Sequence, residues 1–265
     1  MQKDFHFYVT HTLCILSGMD AETAKQVAWA NQYVDDCTSM KLYGIQTQSA
    51  LLSDWYDKQI QYTVLIPFHF MPGHDPEHPW MVTRNNTRAK RLVAEARGPF
   101  ELGVALHVLQ DTFSHEGFSG WQEDLNRCYP WYKWQAIAPA VGHAEMQVVP
   151  DVTNYVWTDP RDGRMVDNTE RALLAARATL MSIDSKAKWT SSLESSLGFA
   201  FRKNDYDTRK QLLRDMAGQP ELRYKHLSSA FEQRFRQDFV EAASNHLSRA
   251  VGLFAGLPRV EDDRS

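Results

Sequence analysis

The sequence predicts a mostly α, single-domain multi-helix bundle, and three observations carry that prediction. Apolar residues recur at intervals of three and four along most of the chain, as they do in helices with one buried face. Alternating, strand-like patterns are confined to a few short stretches, and neither an internal repeat nor a linker rich in Gly, Ser and Pro divides the chain. A chain of 265 residues that is 43% hydrophobic and 23% charged can bury one sizeable core, so residues 1–265 are read as one domain.

Phe5, Tyr8, Val9, Leu13 and Leu16 form the apolar stripe of a first helix that begins after Asp4 and is closed by Gly18. Asp20 supplies the N-cap of a second, which runs through Val27 and Trp29 toward Val34. The same periodicity predicts helices over 49–58, 87–96, 100–115 and 168–182, then over 192–201, 207–216 and 224–254, with Pro220 and Pro258 as punctuation. Residues 61–66 read as a short strand or a buried segment. Tyr155-Val-Trp157 and Arg164-Met-Val166 flank a turn at residues 159–163. The candidate site residues all fall within 1–155, and the helices over 165–255 complete the bundle.

The formal charge of -4 leaves no excess of Lys and Arg to neutralise a phosphate backbone across a broad surface, which argues against an extended nucleic-acid interface. A small phosphate-containing substrate stays open, because bound divalent cations add positive charge that this count omits. Cys14, Cys37 and Cys128 include no Cys-x-x-Cys pair and read as buried free thiols. The first residues show no basic segment followed by an apolar run and a cleavage site, and no window approaches the roughly 20 apolar residues of a membrane span. The expectation is a cytoplasmic protein without a transmembrane segment.

The chemistry is concentrated in His107-Val-Leu-Gln-Asp111-Thr-Phe-Ser-His115. Pro99 suits a helix start and Gly117 and Gly120 a helix end, so the three metal-capable side chains sit four apart in the second half of one helix. At about 100° per residue they drift by roughly 80° in total and share one side. His107 and Asp111 then grip one ion while Asp111 and His115 reach toward another. Without metal, the same residues read as a hydrogen-bonded core histidine, its carboxylate partner and a histidine favoured by the helix end. Asp35, Asp36, His69, His143 and Asp151 add further ligand types, and burying so many ionisable groups without metal is costly. His6 and His11 stand about 140° apart on a helix, so only one faces such a site, and His6 is the choice. His74 and His78 lie in a proline-rich loop read as solvated surface, and His226 and His246 are left outside the site. Trp80, Trp121, Trp131 and Trp134 are candidate pocket walls or core residues.

An early His, an Asp in the next helix, a lone His, His-x-x-x-Asp and then two later His with a final carboxylate form an ordered set. Through Asp4-Phe-His6, Tyr33-Val-Asp-Asp36, Gln110-Asp-Thr-Phe-Ser-His115 and Gly142-His143, the chain resembles the zinc-dependent phospholipase C and S1/P1 nuclease superfamily, and within it an uncharacterised bacterial branch. The resemblance covers roughly residues 1–155, and the His107/Asp111 pair is its most specific part. It implies that Asp35 or Asp36, with His69, His107 and Asp111, holds a first zinc, and that His115, His143 and a carboxylate hold a second. Asp111 would bridge toward a third ion whose other protein ligand is His6.

Three departures stand beside the resemblance. Family members are usually secreted and use the amine of a mature N-terminal Trp as a ligand, whereas this chain begins with Met1. The interval from Asp111 to His115 is shorter than in the secreted enzymes. Four residues after His143 stands Gln147, leaving Asp151 or Glu145 to supply the last carboxylate.

The implied function is a metal-dependent hydrolase acting on a phosphoester or another small molecule, through two or three zinc ions and an activated water. Asp35, Asp36 and Asp111 are its candidate catalytic carboxylates. Iron or manganese, hydrolysis of a small amide or ester, and a noncatalytic helical metal-binding module are the competing readings. Oligomeric state is not legible in the sequence.

Overall fold

The computed structural model describes residues 1–38, 45–49, 52–130, 138–224 and 230–258. They are mostly helical, as the periodicity predicts. The first predicted helix changes type along its length: a π-helical stretch, Asp4–Val9, runs directly into helix α1, Thr10–Leu16. In that stretch the Thr10 N–H reaches the Phe5 carbonyl five residues back. Such wide turns recur where a side chain is presented to a functional site. Helix α2, Ala21–Asp36, starts at Asp20, whose carboxylate accepts from the Glu22 and Thr23 N–H groups.

Two expectations are corrected between 49 and 66. In place of a helix over 49–58 the described residues form a 3-10 turn, Leu52–Tyr56, and a single α turn, Lys58–Ile60. In place of a strand, Gln61–Leu65 is a second π-helical stretch that continues into Ile66–Phe68. A strand there would need a neighbour for its row of N–H and C=O groups, whereas a coil satisfies them internally.

Helices α3, Thr87–Glu95, and α4, Gly98–Ser114, follow, with Pro99 in the first turn of α4. A short antiparallel hairpin of β1, Val156–Thr158, and β2, Met165–Asp167, pairs Trp157 with Val166 where the turn was predicted. Then come α5, Asn168–Ile183, α6, Ser191–Phe201, α7, Tyr206–Met216, and α8, Ala230–Gly252. No helix among the described residues is long and apolar enough to cross a membrane.

Helix α4 is the axis of the packing. Phe100, Val104 and Phe113 enter a core built with α2, α5, α6, α7 and α8. Leu106, Val108 and Leu109 enter a second core with Ile66, Met71, Trp80, Trp121 and Phe254. A helix buried on all sides reads as apolar all round, and its polar residues His107, Gln110 and Asp111 are accordingly enclosed. Close approach of α2 requires Gly103, where a Cβ would lie 2.4 Å from the Val27 carbonyl oxygen. Trp80 and Trp121 belong to the second core, edge to face at 5.6 Å, and are not walls of the metal cleft. Trp131, Trp134 and His226 lie outside the described residues.

Two buried cations pin the ends of this assembly. Arg171 of α5 donates to the carbonyls of Phe113, at 2.6 Å, and Ser114, the last residues of α4, where unpaired carbonyls and the helix dipole favour positive charge. Arg209 of α7 pairs at 2.7 Å with Asp4 at the start of the π-helical stretch. Both partners of that pair are buried.

His246 of α8 donates from Nε2 to the Pro67 carbonyl at 3.0 Å and stacks on Phe68. Burial holds its pKa down at about 4. The unfolded chain therefore takes up this proton first on acidification, and stability conferred by the neutral ring is present above about pH 6.5 and lost as pH falls toward 4. The loss attributable to His246 is about 3 kcal/mol between pH 7.5 and 4. Urea melts across that range are expected to show a smaller decline for His246→Gln than for the wild type, and equal slopes would remove His246 as a contributor.

Candidate metal centre

Three carboxylates and five imidazoles converge between the π-helical stretches, α2 and the C-terminal half of α4. Asp111 lies at the middle. Its Oδ2 is 3.2 Å from His107 Nε2 and 3.2 Å from His69 Nδ1, and those two nitrogens are 3.2 Å apart. Asp35 closes this group, with Oδ1 3.6 Å from His107 Nε2 and 3.8 Å from His69 Nδ1. The other Asp111 oxygen, Oδ1, is 3.3 Å from His6 Nε2. A further group forms at the mouth, where Asp151 Oδ1 is 3.3 Å from His115 Nε2 and Asp151 Oδ2 is 3.5 Å from His143 Nε2.

Every imidazole is held with one nitrogen committed outward. His107 Nδ1 donates to the Asn31 carbonyl at 2.9 Å and His69 Nε2 to the Thr47 carbonyl at 2.8 Å. His115 Nδ1 donates to the His69 carbonyl at 2.8 Å and His143 Nδ1 to the Gln147 carbonyl at 2.7 Å. His6 Nδ1 meets Gln110 Oε1 at 2.9 Å. A neutral imidazole has one N–H, so in each ring the nitrogen that remains presents a lone pair to the carboxylates. This is the outer-sphere pattern of metal-binding histidines.

The donor atoms fit a divalent ion. His6 Nε2 is buried without a hydrogen-bond partner. The Nε2 of His107 and the Nδ1 of His69 stand 3.2 Å from each other and from Asp111 Oδ2, an arrangement that a shared proton or a cation makes favourable. Ligands about 2.0–2.1 Å from a tetrahedral zinc stand about 3.3 Å from one another, close to the 3.2 Å separations in this group. Nitrogen and oxygen ligands without thiolate suit zinc, and also iron or manganese.

The electrostatics follow from enclosure. Burial, reinforced by the neighbouring His6, keeps the His107 pKa at about 4, so the ring is neutral and able to bind metal at pH 7. Burial likewise lowers His143 to about 4. For His69 burial pulls downward, yet the hydrogen bond and charge of Asp111, with Asp35, outweigh it and raise its pKa. Burial would raise the Asp111 carboxyl, but the Met1 ammonium, His115 and His107 hold it well below the usual carboxylate range. The α-amine of Met1 lies 2.7 Å from Asp111 Oδ1 and 3.3 Å from Asp151 Oδ1. Those carboxylates and Asp35 overcome its burial and raise its pKa to about 11.

The cleft above these groups has a volume of about 370 Å³. Trp55, Leu65, Phe70, Val141 and Val148 give it apolar walls, and no Lys or Arg is among the described residues lining it. Phe70 stacks on His115, with ring centroids 4.5 Å apart, and fits because residue 142 is Gly: a Cβ there would lie 2.2 Å from the Phe70 ring.

Of the nine candidate ligands, the structure brings together His6, Asp35, His69, His107, Asp111, His115, His143 and Asp151. Asp36 is corrected: its carboxylate accepts from the Tyr224 hydroxyl, because adjacent helix residues point about 100° apart. Glu145 is excluded as the last carboxylate, since it accepts from Arg127 Nη1 and from the Cys128 and Tyr129 N–H groups. His115 Nδ1 approaches Asp111 Oδ2 at 3.7 Å but donates to the His69 carbonyl, so the expectation that Asp111 and His115 grip one ion is corrected. Helix α4 ends at Ser114, and His115 turns Nε2 toward Asp151.

His11 is buried outside the cluster, and His74 and His78 are exposed, as expected. The sequence reading omitted the Met1 amine, Asn31 and Gln110. The last two carried a signal, for Asn31 lies one turn before Asp35 and Gln110 lies three residues after His107.

No curated protein matches the chain, and no solved structure does. Residues 1–251 match the family described as a family of unknown function (DUF6765), and the chain belongs to that family.

Proposed function

We propose that the protein is a metal-dependent hydrolase acting on a phosphoester through two or three divalent ions, zinc before iron or manganese. One observation carries this reading: five imidazoles each commit one nitrogen outward and turn the other toward three carboxylates. Asp35, His69, His107 and Asp111 would hold one ion, His115, His143 and Asp151 another, and His6 with the second oxygen of Asp111 a third.

When bound, divalent ions lower the pKa of water and stabilise charge developing on a phosphoryl oxygen. The chain's own groups supply the rest. Asp35 lines the cleft and is partly exposed, so its carboxylate is placed to orient a water and take its proton. Asp111, enclosed and held anionic by its neighbours, fixes the cluster and takes no part in proton transfer. Trp55, Leu65 and Phe70 exclude water from one side of the reacting group. A noncatalytic, structural role is disfavoured by the His115, His143 and Asp151 group, which offers three donors at an open cleft, as catalytic sites do, where structural zinc sites close with four.

Protein purified without added metal is expected to carry two or three zinc per chain by elemental analysis and to cleave chromogenic phosphoesters faster than carboxylic esters. Absence of bound zinc, iron and manganese, even after incubation with each, would sink the reading. Asp111→Ala is expected to cut both metal content and turnover, by about a hundredfold or more in the latter; unchanged values would remove Asp111 from the centre. His246→Ala is expected to leave metal content unchanged, and a loss there would relocate the cleft.

A further inference from the structure

Four of the five imidazoles give their outward N–H to a backbone carbonyl, which side-chain substitution leaves in place: those of Asn31, Thr47, His69 and Gln147. His6 is different. Its Nδ1 meets the side-chain amide oxygen of Gln110 at 2.9 Å. Gln110 is fully buried and held from three sides. Its Nε2 donates to Thr10 Oγ1 at 2.9 Å and to Thr179 Oγ1 at 3.3 Å, and its Oε1 also accepts from Asn31 Nδ2 at 3.1 Å. Turning the Gln110 amide over would set its NH₂ against the Asn31 NH₂, so the arrangement leaves an acceptor, not a donor, facing His6. The His6 ring stacks on His107, with centroids 4.0 Å apart, and its Nε2 has no hydrogen-bond partner.

We propose that Gln110, itself no metal ligand, sets the tautomer of His6 and thereby keeps the position between His6 and Asp111 open to a divalent cation. The cation half of this rests on the metal-centre reading above. With the Gln110 oxygen in place, the ring proton stays on Nδ1 and the Nε2 lone pair faces Asp111 Oδ1, 3.3 Å away. Without that oxygen, a buried Nδ1–H loses its acceptor and the Nε2–H tautomer, which donates to Asp111, becomes the favoured one. A proton then stands where the cation must bind. Gln110 is thus a positioning residue, and His6 is the one site histidine whose tautomer a single side-chain change can reverse.

Nitrogen NMR of the imidazole rings in the metal-free full chain reads the tautomers directly. His6 is expected as Nδ1–H in the wild type and in Gln110→Glu, which keeps an acceptor, and as Nε2–H in Gln110→Met, which keeps the volume. His107 should remain Nδ1–H in all three. Zinc titration should then show the ion at the His6 position bound about ten- to a hundredfold more weakly in Gln110→Met and restored in Gln110→Glu. A wild-type His6 found as Nε2–H overturns the proposal, and this spectrum decides even where Gln110→Met does not fold. An unchanged tautomer in Gln110→Met overturns it as well. A tautomer switch with zinc affinity unaltered overturns the link to the cation. A switch in a chain that binds no zinc upholds control of His6 by Gln110 and overturns the metal-centre reading instead.

Discussion

The structure depends on how one enclosed carboxylate is satisfied. Asp111 sits on a helix buried on every side, where an isolated charge is unfavourable by many kcal/mol. Its two oxygens therefore have different neighbours: Oδ1 takes the Met1 ammonium at 2.7 Å and faces His6, and Oδ2 faces His107 and His69. Met1 and His6 come from the N-terminal segment and His69 from the end of the Ile66–Phe68 turn, so satisfying Asp111 fixes α4 against both at once. The second carboxylate, Asp35, comes from α2, which the missing side chain of Gly103 allows to lie close enough to reach.

Much of the remaining architecture serves this convergence. His6 lies within the first π-helical stretch, and the second ends at Leu65, one short α turn before His69. Arg171 and Arg209 are buried cations outside the ligand set, and each fixes a segment that bears ligands. Arg171 holds the end of α4 beside His115, and Arg209 holds Asp4, two residues from His6. Among the described residues the C-terminal helices contribute no candidate ligand but supply these anchors, and Tyr224, after α7, supplies the hydroxyl that takes up Asp36.

Helix positions were legible because burial and periodicity act locally. Asp20 and Pro99 mark helix starts and Gly18 takes φ +89° at a helix end, as sequence patterns require. The segment at 61–65 was not legible: Val64 and Leu65 are buried in any conformation, so their pattern does not separate a strand from a π-helical coil. Among the ligands, residue type and spacing identified the set but not its orientation. Asp35 and Asp36 are equivalent on paper, and the Tyr224 hydroxyl that separates them lies 188 residues away. Likewise Glu145 differs from Asp151 only because the Arg127–Tyr129 segment folds back and occupies it. Long-range partners of this kind leave no local trace.

The eight ligand candidates are also unequal in a way that bears on chemistry. His6 and His107 are sealed within the protein and Asp111 is buried at the cleft floor, whereas Asp35, His143 and Asp151 are partly exposed in the cleft. Enclosed ligands lose little motion and no bound water competes for them, so they hold a fixed geometry. Cleft-facing ligands share their space with solvent and leave room for another oxygen. An apolar wall of Trp55, Leu65 and Phe70 on one side, with the carboxylates on the other, then confines polar chemistry to a narrow floor. On the proposed reading, the division between enclosed and cleft-facing groups sets the rigid part of the centre at His6, His107 and Asp111 and the exchangeable part at Asp151, with Asp35 at the boundary where a proton would be passed.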